Sequence, residues 1–443
     1  MKKEYIAQSL ARYKKQNCVR GHMPGHKGQG KGILKSVYPY DVTELSFSDN
    51  LANPNGVILQ AEEDLATICG SKRSRILTGG ATLGVLAMLY AVKNRGSKII
   101  IARNSHKSVF NALRLFNIEP LFLSDVTKGD IPTLNCDDKL LESADNDIIG
   151  ALLTSPDYYG RALDLKKIKN KLKKNGKLLL IDGAHGAHFV FDNKEFYAGV
   201  YADMWVESAH KTLETLTQGA LLNVNEESLL PLVEEGLSIF STSSPSYLVM
   251  ASVESGYKRY KENKQKNLSN FLSAKDALIK GLLKKGFSIL QTDDNLKVTV
   301  CLKGKINGYV LGEVLENNKI FAELVGKDHI LFMLSYAFSL EQANKIVSAL
   351  DSVVLNADSQ NKEDVFYSLP KRKVSYLQAK NLPYEEVSLK DSLGRICAEN
   401  AGLFPPCYPL IIAGEVFDNE VIDALLNKNT FGVYNGKVKV CKE

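Results

Sequence analysis

The sequence predicts an α/β protein: a large domain on a mostly parallel sheet, and a smaller α+β part towards the C-terminus. Three observations carry this. Short apolar runs recur at 98–102, 120–123, 148–154, 177–181, 204–206 and 219–224, with charged, helix-forming residues between several of them. Continuous apolar runs of strand length mark strands covered on both faces, as in a parallel sheet with helices on each side. Polar residues of unusual type fall at the carboxyl ends of these runs, where such sheets place their ligands. From about 286 the pattern changes to polar–apolar alternation, the mark of antiparallel strands with one solvated face.

At 443 residues the chain exceeds one ordinary core, so two or three domains are expected. The composition, 44% hydrophobic and 24% charged with mean hydropathy −0.14, is that of a soluble globular protein. A net charge of +6 spread over this length does not argue for nucleic acid, which needs a clustered basic face. The most basic stretch, 258–285, carries Leu268, Phe271, Leu272, Leu278 and Leu282 at helical spacing. It predicts one or two amphipathic helices with a solvated lysine face. Seven scattered cysteines without CxxC spacing suggest reduced thiols, and neither a disulfide frame nor a metal site. No apolar leader and no membrane-length run is present, so a cytoplasmic protein is expected.

In chain order, residues 1–56 read as an N-terminal arm. Tyr5, Ile6, Leu10 and Tyr13 share one side of a short helix. Residues 20–30 are too rich in Gly and Pro for a regular element and suit a site-lining loop. His22 and His26 would face one way only on a helix, which Pro24 and Gly25 prevent. Glu44 and Asp49 follow among apolar neighbours. Residues 57–285 form the large domain, opening with a helix over 58–69 that stops near Gly70. An apolar lead at 75–78 enters the turn Gly79-Gly80-Ala81-Thr82-Leu83-Gly84, and a helix over 85–92 is apolar all round, hence buried. A glycine turn feeding a helix N-terminus suits an anion, since bare N–H groups and the positive dipole end converge there. It is neither a P-loop nor a GxGxxG motif, and a close-packing turn is the equal alternative. Residues 286–355 read as a small α+β domain, with strand-like runs at 288–301 and 330–335 and helices at 307–317 and 339–355. A polar linker at 356–364 precedes a further piece, 365–443.

The chemistry gathers at the run ends. Glu207-Ser208-Ala209-His210-Lys211-Thr212 follows the fifth run. Lys211 lies among small, hydroxylic and imidazole groups rather than on a mixed-charge face. An amine that loses hydration there becomes a nucleophile, as a Schiff base with a carbonyl cofactor such as pyridoxal 5'-phosphate requires. Such a site also needs a carboxylate for the pyridine nitrogen, a phosphate cup and a flat group on the ring. Asp182 fits the first, with helix capping as its bland alternative. The 79–84 turn with Thr82 and Ser208 fits the second, and His106 the third. Six of the seven histidines lie in these segments or the 22–26 loop.

These segments resemble the fold type I pyridoxal-phosphate enzymes, and specifically the ornithine/lysine/arginine decarboxylase family in its short bacterial form. The resemblance rests on Met23-Pro24-Gly25-His26-Lys27-Gly28, Asp41-Val42-Thr43-Glu44-Leu45, Asn104-Ser105-His106-Lys107-Ser108, Thr154-Ser155-Pro156, Asp182-Gly183-Ala184-His185-Gly186 and Ser208-Ala209-His210-Lys211-Thr212. Gln218-Gly219 and Ser243-Ser244-Pro245-Ser246-Tyr247 support it. Gly394-Arg395-Ile396, Pro405-Pro406 and Gly414-Glu415 resemble the family's C-terminal domain, so the likeness covers essentially the whole chain. It implies Lys211 as the lysine holding the cofactor, Asp182 on the pyridine nitrogen, His106 stacked on the ring and Ala184 on its other face. Ser208, His210 and the turn Gly80-Ala81-Thr82 would hold the phosphate. Ser243 would reach a neighbouring subunit's phosphate, which implies a homodimer or higher homo-oligomer with a shared site. The implied reaction is decarboxylation of arginine, lysine or ornithine to a polyamine-type amine, with Glu44, Asp49 or Glu415 facing the distal cation. An aminotransferase or lyase on the same scaffold, or a non-catalytic relative, is the alternative. The family's phosphate turn usually reads Gly-Ser-Thr-Ser-Gly; Ala81 and Leu83 lack two of its hydroxyls, which predicts weaker cofactor retention.

Overall fold

A computed structural model describes residues 5–123, 125–128, 131–134, 138–355, 369–403, 409–426 and 430–442. The expected linker at 356–364 and Pro405-Pro406 lie outside the described residues. The chain forms two compact units, Met1–Val92 with Leu163–Asn170 and Leu178–Lys266, and Lys93–Ala162 with Lys171–Lys177 and Asn267–Glu443. The fold is α/β, its large sheet mostly parallel, as the apolar runs predict.

In the first unit the strand Leu178–Asp182 runs parallel to Met204–Glu207, with Asp182 opposite Val206. Ala220–Val224 pairs antiparallel with Met204–Glu207 and then with Arg73–Leu77. The 219–224 run, expected among the mostly parallel strands, is therefore antiparallel. Its link to Met204–Glu207 holds a single helical turn, Ala209–Thr212, so the chain reverses where a crossover helix would have kept its direction. Helix Val57–Cys69 stops at Gly70, whose φ of 69° is left-handed. Helix Gly80–Val92 begins at the glycine turn itself, earlier than its apolar run suggests, and Leu83 to Val85 and Ala87 to Val92 are buried. A Cβ on Gly84 would lie 2.4 Å from Val206 Cγ2, so the missing side chain lets this helix rest on the strand. Ile6–Lys15 is the predicted N-terminal helix, with Ile6, Leu10 and Tyr13 buried. The basic stretch belongs to one 38-residue helix, Tyr247–Lys284.

A buried ion pair locks the edge of this sheet. Glu62, fully buried on helix Val57–Cys69, lies 3.2 Å from Arg75 Nε and accepts from the Ile76 N–H at 3.0 Å. Burial pushes its carboxyl up to about 7 against the pull of the Arg75 guanidinium. Arg75 also donates to the Leu51 carbonyl at 2.8 Å and to Glu234 at 2.5 Å. Arg75→Ala leaves Glu62 buried without its main counter-charge. It is expected to cost about 3–5 kcal/mol in urea unfolding, whereas an exposed pair such as Lys280–Asp276 costs under about 1 kcal/mol when broken.

In the second unit the buried strand Lys98–Ile101 pairs parallel with Glu119–Phe122 and Ile148–Thr154. Asp125–Lys128 pairs antiparallel with Ile131–Leu134, which was not foreseen. A four-stranded antiparallel sheet follows, ordered Ser288–Ile289, Lys297–Cys301, His329–Met333, Leu324–Val325. The alternating run at 288–301 suggested half-exposed strands. Residues 297–300 are instead buried, because Leu296, Val298, Val300, Ile330 and Phe332 share a core with Phe271 and Leu278 of the long helix. Helix Gly308–Asn317 starts at an Asn307 cap, and Leu340–Ala349 at a Ser339–Gln342 capping box. The latter ends six residues before the expected 355. The C-terminal piece pairs Tyr384–Ser388 with Lys437–Cys441 and packs Leu389, Cys397, Ile411, Phe417 and Val440 into its own core. Among the described residues no helix is long and apolar enough to cross a membrane, and no group of three or more His, Cys, Asp or Glu side chains is placed to hold a metal.

Candidate functional site

Three chain segments of the first unit bring polar groups to neighbouring strand ends. Asp182 closes the Leu178–Asp182 strand and is 3% exposed. Its Oδ1 accepts from the Ala184 N–H at 3.1 Å, and the Gly183 N–H donates to the Val206 carbonyl at 2.9 Å. These bonds tie the 182–186 loop to the adjacent strand. From that strand the chain passes through Ser208 into the one-turn helix Ala209–Thr212, which carries Lys211. The half-buried Lys211 Nζ lies 3.1 Å from Nε2 of the buried His185. His185 belongs to the Asp182-Gly183-Ala184-His185-Gly186 motif, but sequence reasoning gave it no role. Its signal was present: a histidine three residues beyond the strand-end aspartate, on a loop that must turn back across the next strand.

His210 anchors the far side of the lysine turn. Its Nδ1–H donates to the Gly219 carbonyl at 2.9 Å, and its backbone N–H reaches the same oxygen at 3.2 Å. Burial lowers the His210 pKa, and Lys211 adds to this against the opposing pull of the Gly219 bond. A neutral His210 with Nδ1–H committed to Gly219 presents an Nε2 lone pair. It can donate to an anion only after taking a proton, which the anion itself would favour.

The third segment is the N-terminus of helix Gly80–Val92. Gly80 has φ of 70°, and its N–H is held by the Gln218 carbonyl at 2.9 Å, beside Gly219. Thr82 is exposed, Ala81 half-buried, and Leu83 folds inwards at 7% exposure. A Cβ at Gly80 would meet nothing within 4 Å, so the backbone there is open to close approach. Ser208 is buried, and its side chain makes no capping bond to its own helix. Open helix-terminal N–H groups, the Thr82 and Ser208 hydroxyls and an amine as donors, with a buried carboxylate as acceptor, suit a phosphate ester with a carbonyl and a basic ring nitrogen.

The remaining predicted residues are not all brought to this place. Ser243 is exposed, between helices Leu230–Phe240 and Tyr247–Lys284. His106 belongs to the second unit, where it caps helix Lys107–Phe116; its Nδ1 accepts from the Ser108 N–H at 3.2 Å. Glu415, also in the second unit, is 3% exposed. Its Oε1 and Oε2 receive Arg103 Nη1 and Nη2 at 2.5 and 2.6 Å, and Ile412 N–H adds a further bond. Asp49 Oδ1 accepts from Asn50 and Asn55, and its Oδ2 from Gly56 and Ile58, at 2.7 to 3.0 Å. Burial works to raise the Asp49 pKa, but these backbone bonds outweigh it and hold it below the usual carboxylate value. Glu44 is half-buried and accepts from Thr43 Oγ1 at 2.6 Å. His22 Nε2 meets Tyr13 Oη at 2.6 Å and His26 Nε2 meets Asp41 Oδ2 at 3.2 Å, so the two rings serve different partners.

Comparison with known proteins gives the family. A solved Francisella novicida lysine decarboxylase has the same fold, with a TM-score of 0.83 at 18% identity over 99% of this chain and 81% of its own. Bacillus subtilis YaaO, a protein without an assigned function, is 32% identical over 95% of this chain and 93% of its length. An arginine decarboxylase of Bacillus anthracis is 27% identical over 94% of this chain and 91% of its length. The family model for the major domain of Orn/Lys/Arg decarboxylases matches residues 6–275. With that match over more than half its length, and with a lysine, an aspartate and a helix N-terminus at adjoining strand ends, the chain belongs to the Orn/Lys/Arg decarboxylase family.

Proposed function

We propose that this chain is a pyridoxal-phosphate-dependent decarboxylase of arginine, lysine or ornithine, releasing carbon dioxide and the corresponding amine. The observation that carries the reading is the half-buried Lys211 amine, 3.1 Å from His185 Nε2, on the turn that follows Val206, the residue paired with Asp182. When bound, pyridoxal phosphate supplies an electron sink that makes the bonds at the substrate Cα breakable. The chain's own groups do the rest. His185 Nε2 accepts from Lys211 Nζ and holds the amine in one orientation, where loss of its proton exposes a nucleophilic lone pair. Asp182 places a buried negative charge where a ring nitrogen must stay protonated. The first turn of Gly80–Val92, Thr82 and Ser208 direct N–H and O–H donors at the phosphate, and a protonated His210 adds another. Ala184 would lie against one ring face.

For the substrate's distal cation, Glu44 is the proposed partner. Asp49 commits both oxygens to backbone N–H groups, and Glu415 commits its charge to Arg103. The enzyme is proposed to work in the cytoplasm in polyamine formation, as a homodimer or larger assembly in which Ser243 reaches the neighbouring subunit's phosphate. Incubation with each of the three amino acids tests the reaction. Carbon dioxide plus the amine supports it; a keto acid would replace it with amino transfer.

The altered phosphate turn gives a separate prediction. Ala81→Ser adds a hydroxyl at a half-buried position. A hydrogen bond to a charged group is worth about 1.5–3 kcal/mol, so cofactor affinity should rise roughly 10- to 150-fold. Equilibrium dialysis reads this directly. Leu83→Ser should show no such net gain, because it also gives up the burial of a leucine, worth about 1.5–3 kcal/mol of stability.

A further inference from the structure

The lysine turn is too short to hold itself in place. Ala209–Thr212 is a single turn, with Lys211 N–H bonded to the Ser208 carbonyl at 3.0 Å and Leu213 N–H to Ala209 at 2.8 Å. One turn bears the cost of helix nucleation and gains almost none of the propagation, so its position must be set from outside. From within the turn His210 supplies part of that constraint through the Gly219 carbonyl. On its N-terminal side only Ser208 separates it from Glu207.

Glu207 is 1% exposed, a carboxyl in the core at the end of the Met204–Glu207 strand. Its Oε1 accepts from Trp205 Nε1–H at 3.1 Å and its Oε2 from Tyr257 Oη–H at 2.5 Å. Tyr257 is fully buried on the Tyr247–Lys284 helix. Tyr197 packs edge-on against Trp205, with ring centroids 6.0 Å apart. A Cβ on Gly199 would lie 2.4 Å from Tyr197, 2.8 Å from the Cys69 carbonyl and 2.9 Å from Trp205, so no ligand fits at this point. A buried carboxyl costs several kcal/mol of lost hydration, and an apolar side chain would fill the same volume without that cost. Burial raises the Glu207 pKa to about 7, against the bonds from Tyr257 and Trp205.

We propose that Glu207 is a positioning residue for Lys211: through Tyr257 and Trp205 it clamps the strand end from which the lysine turn departs. The proposal rests on the reading of Lys211 as the cofactor-holding amine. Two variants test it, Glu207→Gln and Tyr257→Phe, the second removing one hydroxyl and nothing else. Amide hydrogen exchange of the cofactor-free protein should accelerate at least about tenfold at 208–212 in both, with the Leu178–Asp182 strand unchanged. In the loaded enzyme kcat should fall about tenfold or more with KM within about twofold. A lowered melting temperature with unchanged exchange at 208–212 would reduce Glu207 to a packing residue and overturn the proposal, as would faster exchange with unchanged kcat. If Glu207→Gln does not fold, Tyr257→Phe decides alone. If wild type gains no visible band with pyridoxal 5'-phosphate and releases no carbon dioxide, the Lys211 reading fails, and the exchange data alone decide whether Glu207 clamps the turn.

Discussion

Replacement of Lys211 by alanine should abolish the visible absorbance band that the protein gains with pyridoxal 5'-phosphate. It should also reduce carbon dioxide release by roughly 10⁴-fold or more, the scale seen when a covalent nucleophile is removed from a preorganised site. The side chain is half-buried and makes a polar contact to His185 at 3.1 Å, so its removal leaves a small gap. The fold should therefore survive, with a melting temperature within a few degrees of wild type. Lys211→Arg sharpens the result. It keeps the positive charge near His185 but carries a guanidinium that stays protonated and cannot act as the nucleophile. If the Lys211→Arg protein retained the band, the cofactor would be held by charge alone and the proposed role of the amine would be lost. Phosphate affinity offers a further check: inorganic phosphate should still protect the Lys211→Ala protein against urea, because Gly80–Val92, Thr82 and Ser208 remain.

Much of this arrangement was legible in the chain. The apolar runs mark their strands because residues buried on both sheet faces must be apolar without alternation. The strand-end groups Asp182, Ser208, His210 and Lys211 stand out because polar side chains interrupt such runs only where a strand stops. Strand direction was less legible. Nothing in the apolar run at 219–224 distinguishes a parallel from an antiparallel partner; the direction is set by the single-turn link before it. The pairing of polar groups was the least legible. Glu415 and Arg103 are 312 positions apart, and no local pattern announces that a buried guanidinium will take both carboxylate oxygens. Asp49 was legible only as an acidic residue among apolar neighbours. Its role as acceptor for several backbone N–H groups needs the loop at 50–56 to fold back over it. Likewise, His185 acquires meaning only once the 182–186 loop lies across the strand that feeds Lys211.

Asp182→Asn isolates the charge on which the proposed chemistry depends. The substitution keeps the shape and leaves a side-chain oxygen to accept from the Ala184 N–H, the bond that Asp182 Oδ1 makes at 3.1 Å. The loop and its link to Val206 should therefore persist, and so should the 3.1 Å approach of His185 to Lys211. What disappears is a negative charge at a site 3% exposed, where low polarisability makes a charge pair strong. Removing one partner of a buried, hydrogen-bonded charge pair costs about 2–5 kcal/mol, so kcat should fall roughly 30- to 5,000-fold. The variant should still gain its visible band, since Lys211 is intact, but with weaker cofactor retention. If Asp182 served only to cap the loop, asparagine would replace it with little change in kcat. Loss of rate with the loop's amide exchange unchanged therefore assigns the effect to charge, and equal rates in the two proteins would remove Asp182 from the chemistry.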